Sequence, residues 1–237
     1  MSNSYFQFKQ FIVHQDRCAM KVCTDACILG AWFAAKAPPW SQVLDIGSGS
    51  GLLMLMLAQK LKGDILGIEL DLSAYSQGRE NLAGSPWKER FRLFPGDVRK
   101  FSFRSPFDFI IANPPFYEGD LEAATGPENL ARHSKELSLS DLIGTIDRNL
   151  TGSGSFGVLL PFHRKDYFIG LAAERQFHLQ ETLFLRQTPK HDPFRAILHF
   201  SRNPEGFAPS SELWIKNDRG EDSAEFVELM REYYLYL

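Results

Sequence analysis

Val43-Leu44-Asp45-Ile46-Gly47-Ser48-Gly49-Ser50-Gly51 is the stretch on which the fold turns. Its first four residues read as a buried strand. The glycines at every second position from Gly47 to Gly51 read as a loop that permits positive φ and brings backbone close to a ligand. Outward from that point, apolar runs alternate with helical patterns. Gln42–Ile46 is expected as a strand and Gly51–Lys60 as its helix, followed by a strand Asp64–Glu69 and a helix Leu72–Ala83. Arg90–Pro95 and Phe107–Ala112 are the next two strands, then Leu139–Asn149 a helix, Gly154–Leu160 a strand and Tyr167–Arg175 a helix. Strands separated by helices predict an α/β fold with a doubly wound, mostly parallel sheet that binds ligands at the carboxyl ends of its strands. Leu179–Gln187 and Phe194–Arg202 are expected to add an antiparallel strand pair near the C-terminus.

The flanks read as extensions of this core. Phe6, Phe8, Phe11 and Val13 alternate as in a small ribbon, and Thr24-Asp25 are expected to cap a helix Ala26–Lys36 that ends before Pro38-Pro39. Ala224–Leu237 carries Phe226, Leu229, Met230, Tyr233 and Leu237 at helical spacing, which predicts a docking helix. One structural domain is therefore expected: an N-terminal ribbon and helix over 1–40, a core over 41–203, and a C-terminal strand and docking helix over 204–237. The polar stretch Glu118–Lys135 is too irregular for regular structure and is expected to be a loop beside the site.

Composition narrows the function classes. No run approaches the roughly 20 apolar residues of a membrane span, and the first ten residues lack a signal-peptide pattern, so a cytoplasmic location with no membrane partner is expected. Cys18, Cys23 and Cys27 share one short segment at no common zinc spacing. Reduced thiols and no metal site are expected. A net charge of −3 weighs against a polyanionic partner, but its distribution softens the objection. Eight acids and only three bases lie from Pro204 onward, leaving 23 basic against 21 acidic residues before it. Two basic runs stand out, Lys88 to Arg104 and Arg164 to Arg195. No obligatory protein partner is evident.

The chemistry is carried by residues at predicted strand ends. A dinucleotide fingerprint would need glycine at Leu52, so a nicotinamide cofactor fits poorly. A glycine loop opening a helix offers N–H donors to a carboxylate such as that of S-adenosylmethionine. Glu69 ends the second strand at the spacing of a ribose-binding acid. Asp97, after Pro95-Gly96, is placed to take an adenine amino group. Thr24 and Asp25 either reach the methionine end of the cofactor or simply cap their helix. Asn113-Pro114-Pro115-Phe116 follows the fourth strand. The Asn113 side-chain oxygen and the Pro114 carbonyl form two acceptors for the two hydrogens of one planar amino group, and Pro115 restricts Pro114 to extended conformations. Phe116 can stack on a base that has left its helix or loop stack.

These residues resemble the class I, Rossmann-like S-adenosylmethionine-dependent amino-methyltransferases of the N6-adenine type. More narrowly, the chain is similar to the bacterial tRNA(Val) adenine-37 N6-methyltransferases. That likeness includes Phe6-x-Phe8-Lys9-Gln10-Phe11, Met20-Lys21-Val22-x-Thr24-Asp25, Leu29-Gly30-Ala31-Trp32, Ala131-Arg132-His133 and the aromatic C-terminus. It covers nearly the whole chain and departs at Cys23, where a glycine is expected. The resemblance implies that Asp45, Gly47, Ser48, Gly49, Gly51, Glu69, Asp97 and Asn113 meet the cofactor, with Thr24 and Asp25 beside it. Asn113 through Phe116 would hold the base, with Tyr117, Arg132 and His133 at the RNA. Protein-glutamine N5- and rRNA guanine-N2-methyltransferases use similar elements, and a non-catalytic RNA factor that binds the cofactor is a further alternative. The forty or so residues before Val43 leave little room for the helical domain usual in the glutamine enzymes.

Overall fold

The computed structural model describes residues 3–37, 41–115, 137–204 and 208–237. Tyr5–Gln7 (β1) and Ile12–His14 (β2) form the antiparallel ribbon, and Thr24–Lys36 is the first helix, α1. Val43–Ile46 (β3), Leu52–Ala58 (α2), Ile65–Glu69 (β4), Leu72–Ala83 (α3), Phe91–Pro95 (β5) and Phe107–Ala112 (β6) follow in alternation. Leu139–Asn149 (α4), Leu150–Pro161 (β7), Lys165–Glu174 (α5), His178–Arg186 (β8), Arg195–Ser201 (β9), Ser210–Trp214 (β10) and Ala224–Met230 (α6) complete the described elements.

Eight strands form one sheet in the order β10-β8-β9-β7-β6-β3-β4-β5. Every pairing is parallel except those of β9, which runs against both β7 and β8. The antiparallel step lets the short segment after Arg186 lead directly into Arg195, where a parallel neighbour would need a crossover. The central strands β3 and β6 are buried on both sides, so they are largely apolar rather than alternating. Val43, Phe109 and Ile111 join a core with α1, α2, α6 and the N-terminal ribbon. Leu44, Ile46, Ile110 and Ala112 face the opposite core with α4 and α5. α2 is buried on every side, which explains its uninterrupted Leu-Leu-Met-Leu-Met-Leu-Ala. Gly157 on β7 lets α1 lie flat on the sheet, because a Cβ there would run into the Phe33 ring. Among the described residues no helix is long and apolar enough to cross a membrane.

Three expectations change. Thr24 and Asp25 are the first residues of α1 rather than its caps: Cys23 holds the cap position and makes no side-chain cap bond. β7 starts directly at Leu150, earlier than the glycines suggested. The C-terminal helix stops at Met230, and the aromatics beyond it turn back onto the ribbon. Tyr234 bridges Phe8, the Lys9 N–H donates to the Tyr233 carbonyl at 2.8 Å, and the buried Tyr233 hydroxyl donates to Met56 O at 3.2 Å. Tyr234 packs on Phe6, Phe8 and Phe226, so the apparent helical stripe is an aromatic clasp between the two ends of the chain.

Candidate active site

The two sequence motifs meet at the centre of the sheet. β3 and β6 are parallel neighbours in the register Ile46↔Ala112. Gly47 directly follows the first of these residues and Asn113 the second. Adjacent strands lie about 4.8 Å apart, so the glycine loop and the Asn-Pro-Pro turn leave the sheet side by side.

Gly47, Gly49 and Gly51 all take positive φ, at 75°, 53° and 82°. A Cβ built on Gly47 or Gly49 would meet nothing within 4 Å, so these two face open space. The expected free N–H donors are spent differently. Gly47 and Ser48 donate to the Ile68 carbonyl at 3.0 and 3.2 Å, and Gly49 donates to Glu69 Oε2 at 2.8 Å. Glu69 Oε1 accepts from the Asp71 N–H at 2.8 Å. One carboxylate thus ties the loop to the start of α3 and retains lone pairs on both oxygens. Asn81 supports the loop from behind. Buried on α3, it donates to Ser50 O at 2.8 Å and exchanges two bonds with the His14 backbone.

Asp45 lies beneath this loop, fully buried, and neither carboxylate oxygen has a hydrogen-bond partner among the described residues. Burial, and secondarily the charge of Glu69, push its pKa up to about 8. An orphaned buried carboxylate costs stability unless something cationic or hydrogen-donating meets it. Asn113 Oδ1 is the matching case at the neighbouring strand end. It is buried with no partner among the described residues, while Nδ2 lies 4.0 Å from Met20 Sδ. Pro114 is buried and Pro115 exposed.

The remaining predicted acids are already paired. Gly96 extends the ladder by donating to Glu69 O at 2.8 Å. Asp97 is gripped by the Arg99 guanidinium, with Nε 2.9 Å from Oδ1 and Nη2 2.7 Å from Oδ2, and Arg99 holds its pKa below the usual carboxylate range. Arg99 also reaches Asp141 Oδ2, in the first turn of α4, at 3.5 Å. Asp25 is buried and accepts from Arg195 Nε at 2.9 Å, joining α1 to the start of β9 at the same end of the sheet. Phe116, Tyr117, Arg132 and His133 lie outside the described residues, as do Pro38-Pro39 and the stretch expected as the Glu118–Lys135 loop.

Arg99, Arg195, Asn81 and Met20 are contributors that the sequence reading did not place in the site. No spacing rule marks them: Arg195, Asn81 and Met20 act across a distance set by the fold, and Arg99 through the way its side chain folds back on Asp97. The thiols of Cys23 and Cys27 are both pushed up to about 12 by burial, and all three cysteines are free. Among the described residues no three His, Cys, Asp or Glu side chains are grouped to hold a metal.

Comparison with known proteins agrees with this architecture. Residues 28–139 match the family model of the methyltransferase small domain. A tRNA1(Val) (adenine(37)-N6)-methyltransferase of Phocaeicola vulgatus is 37% identical over 235 residues, covering 99% of each chain. Its counterpart in Dyadobacter fermentans is 38% identical over 237 residues, covering 98% of each. Among solved structures, a predicted O-methyltransferase of Agrobacterium tumefaciens superimposes with a TM-score of 0.68 at 16% identity, over 90% of this chain and 98% of that one. At that identity it shows the shared class I methyltransferase fold.

Proposed function

The chain belongs to the tRNA1(Val) (adenine(37)-N6)-methyltransferase family, and we propose on that premise that it methylates the N6 amino group of adenine 37 in tRNA1(Val), with S-adenosylmethionine as cofactor. The observation that carries the reading is the buried Asn113 Oδ1, without a partner among the described residues, beside a glycine loop whose Gly47 and Gly49 face open space. An acceptor held dry in that position lacks only a donor, and an exocyclic amino group supplies one.

The residues fit the cofactor. Gly47, Ser48, Gly49 and Gly51 form the wall against which it lies. Glu69 offers its remaining lone pairs to ribose hydroxyls, and Asp97, steadied by Arg99, offers one to the adenine amino group. Asp45 is the buried acid available to the cofactor's cationic end, and Thr24 and Asp25 close the rim beside it. The bound cofactor supplies an electrophilic methyl group on a sulfonium.

The remaining work belongs to the chain. An adenine amino nitrogen is a poor nucleophile because its lone pair is shared with the ring. Asn113 Oδ1 and the Pro114 carbonyl, by taking its two hydrogens, hold the nitrogen pyramidal and direct that lone pair toward the methyl. Fixed acceptors of this kind need no rearrangement at the moment of reaction. Phe116 and Tyr117 would stack on the flipped base, and Arg132 and His133 would meet the RNA near it. With a tRNA substrate, the activity belongs in the cytoplasm.

Incubation with unmodified tRNA and methyl-labelled cofactor, followed by nucleoside analysis, tests the reading. Label in N6-methyladenosine at position 37 is expected. Label in N2-methylguanosine, or in protein glutamine with none in RNA, would overturn it.

A further inference from the structure

The outer edge of the sheet carries a second feature that fits RNA. β5 is the last strand of the sheet. Where no further strand closes that edge, α3 and β5 enclose an open cleft of about 350 Å³ lined in part by Tyr75, Arg79, Lys88, Glu89, Arg92 and Phe94. Three cations and one acid line this wall, in a chain whose net charge is −3.

The cations that line this cleft differ from those of the later basic run. In that run Lys165, Arg186, Lys190 and Arg195 are matched by Asp166, Glu212, Asp218 and Asp25. In the cleft, Arg79 and Lys88 are exposed and make no ion pair among the described residues, and Arg92 Nη1 bonds only the backbone carbonyls of Glu89 and Phe91. Arg79 lies over the Tyr75 ring at 5.8 Å. The upper end of the cleft borders the candidate site: α3 follows Glu69 through Leu70 and Asp71, and β5 ends at Pro95 just before Gly96 and Asp97. Leu70 and Leu72, in that connection and at the start of α3, are 51% and 70% exposed.

We propose that this cleft takes the sugar–phosphate backbone of the RNA substrate, with Arg79 and Lys88 on phosphates and Tyr75 against an adjoining base or ribose. It rests on the reading of the chain as a tRNA methyltransferase. Backbone contacts of this kind set register and supply a salt-dependent share of affinity without reading sequence. The cleft therefore orients the tRNA while the central site selects the adenine.

The test is tRNA binding measured across a range of salt concentrations for wild type, Arg79→Glu/Lys88→Glu and the charge-keeping Arg79→Lys/Lys88→Arg. The charge-reversed variant is expected to bind tRNA at least tenfold more weakly. Its log–log salt slope should fall by roughly 1.4 to 1.8, at about 0.7–0.9 for each of two phosphates no longer neutralised. Cofactor affinity and turnover at saturating tRNA should stay at wild-type values, and the charge-keeping variant should match wild type. If wild type binds and methylates tRNA while charge reversal changes neither affinity nor slope, the cleft assignment falls alone. If wild type neither binds nor methylates tRNA, the cleft and the function fall together.

Discussion

At the end of β3 the N–H groups of Gly47, Ser48 and Gly49 have acceptors at 2.8–3.2 Å, whereas at the end of β6 the buried Asn113 amide oxygen has no donor among the described residues. The two strand ends are neighbours and equally well framed by the sheet, so the difference is one of task. The glycine loop is held by its own contacts and presents a finished surface. In the proposed mechanism the Asn113 side keeps an acceptor for a donor that the bound substrate brings. Asp45, buried beneath the loop, is the one exception on the β3 side. A dry, unpaired acceptor costs folding free energy, and its retention is most simply explained by what it does when the donor arrives.

Breaking the reserved acceptor should have the largest effect. Asn113→Ala is expected to slow turnover about 10²–10³-fold, as removal of one preorganised polar group does, while calorimetry should find cofactor affinity within a few-fold of wild type. Turnover equal to wild type would remove the distinction between the two ends. On the finished side the effect should fall on binding. Glu69→Ala removes the acceptor of both Gly49 and Asp71, and should raise the cofactor dissociation constant tenfold or more, about 1.4 kcal/mol. Unchanged calorimetric binding would take Glu69 out of the pocket.

Gly49→Ala tests whether the loop's shape matters in the same way. Its φ of 53° should cost roughly 1–2 kcal/mol of stability, readable in chemical unfolding, and its Cβ would enter the open space beside the loop. Cofactor affinity should fall several-fold, and unaltered affinity would place that space outside the pocket.

Asp45 gives the smallest and most specific effect. Its folded pKa of about 8 lies above its ordinary value of 3.8. The folded protein therefore holds a proton that the unfolded chain releases, and stability falls as pH rises through that interval. Asp45→Asn should remove this loss. The variant should melt a few degrees above wild type at pH 8 without cofactor, with the gap closing toward pH 5, and should bind cofactor more weakly. Melting curves that track wild type at every pH would contradict the burial argument.

Much of the frame was legible because its signals are local. α3, β6 and α4 fall on their predicted bounds. Asp71 and Ser138 cap the two helices by accepting from Ala74 and Asp141, and β6 closes on the buried apolar run Phe109-Ile110-Ile111-Ala112 directly before Asn113. The C-terminal end was not legible in the same way. Tyr233 sits at helical spacing with Phe226 and Met230, yet its partners are Lys9 on the ribbon side and Met56, far back in the chain, and periodicity cannot weigh a contact of that range. Side-chain pairing was hidden too, by range in one case and by side-chain conformation in the other. Asp25 and Arg195 are 170 residues apart, and nothing in the string Asp97-Val98-Arg99 says that the arginine folds back onto the acid. The glycine pattern did foretell positive φ, but not that the loop's donors would be spent on Ile68 and Glu69.

The most direct measurement is a crystal structure with S-adenosylhomocysteine and an anticodon stem-loop carrying the target adenine. Asn113 Oδ1 and the Pro114 carbonyl are each expected within about 3 Å of the adenine N6, with the sulfur across from that nitrogen beside Gly47 and Gly49. An Asn113 amide turned away from the base, or a base seated elsewhere on the protein, would contradict this arrangement.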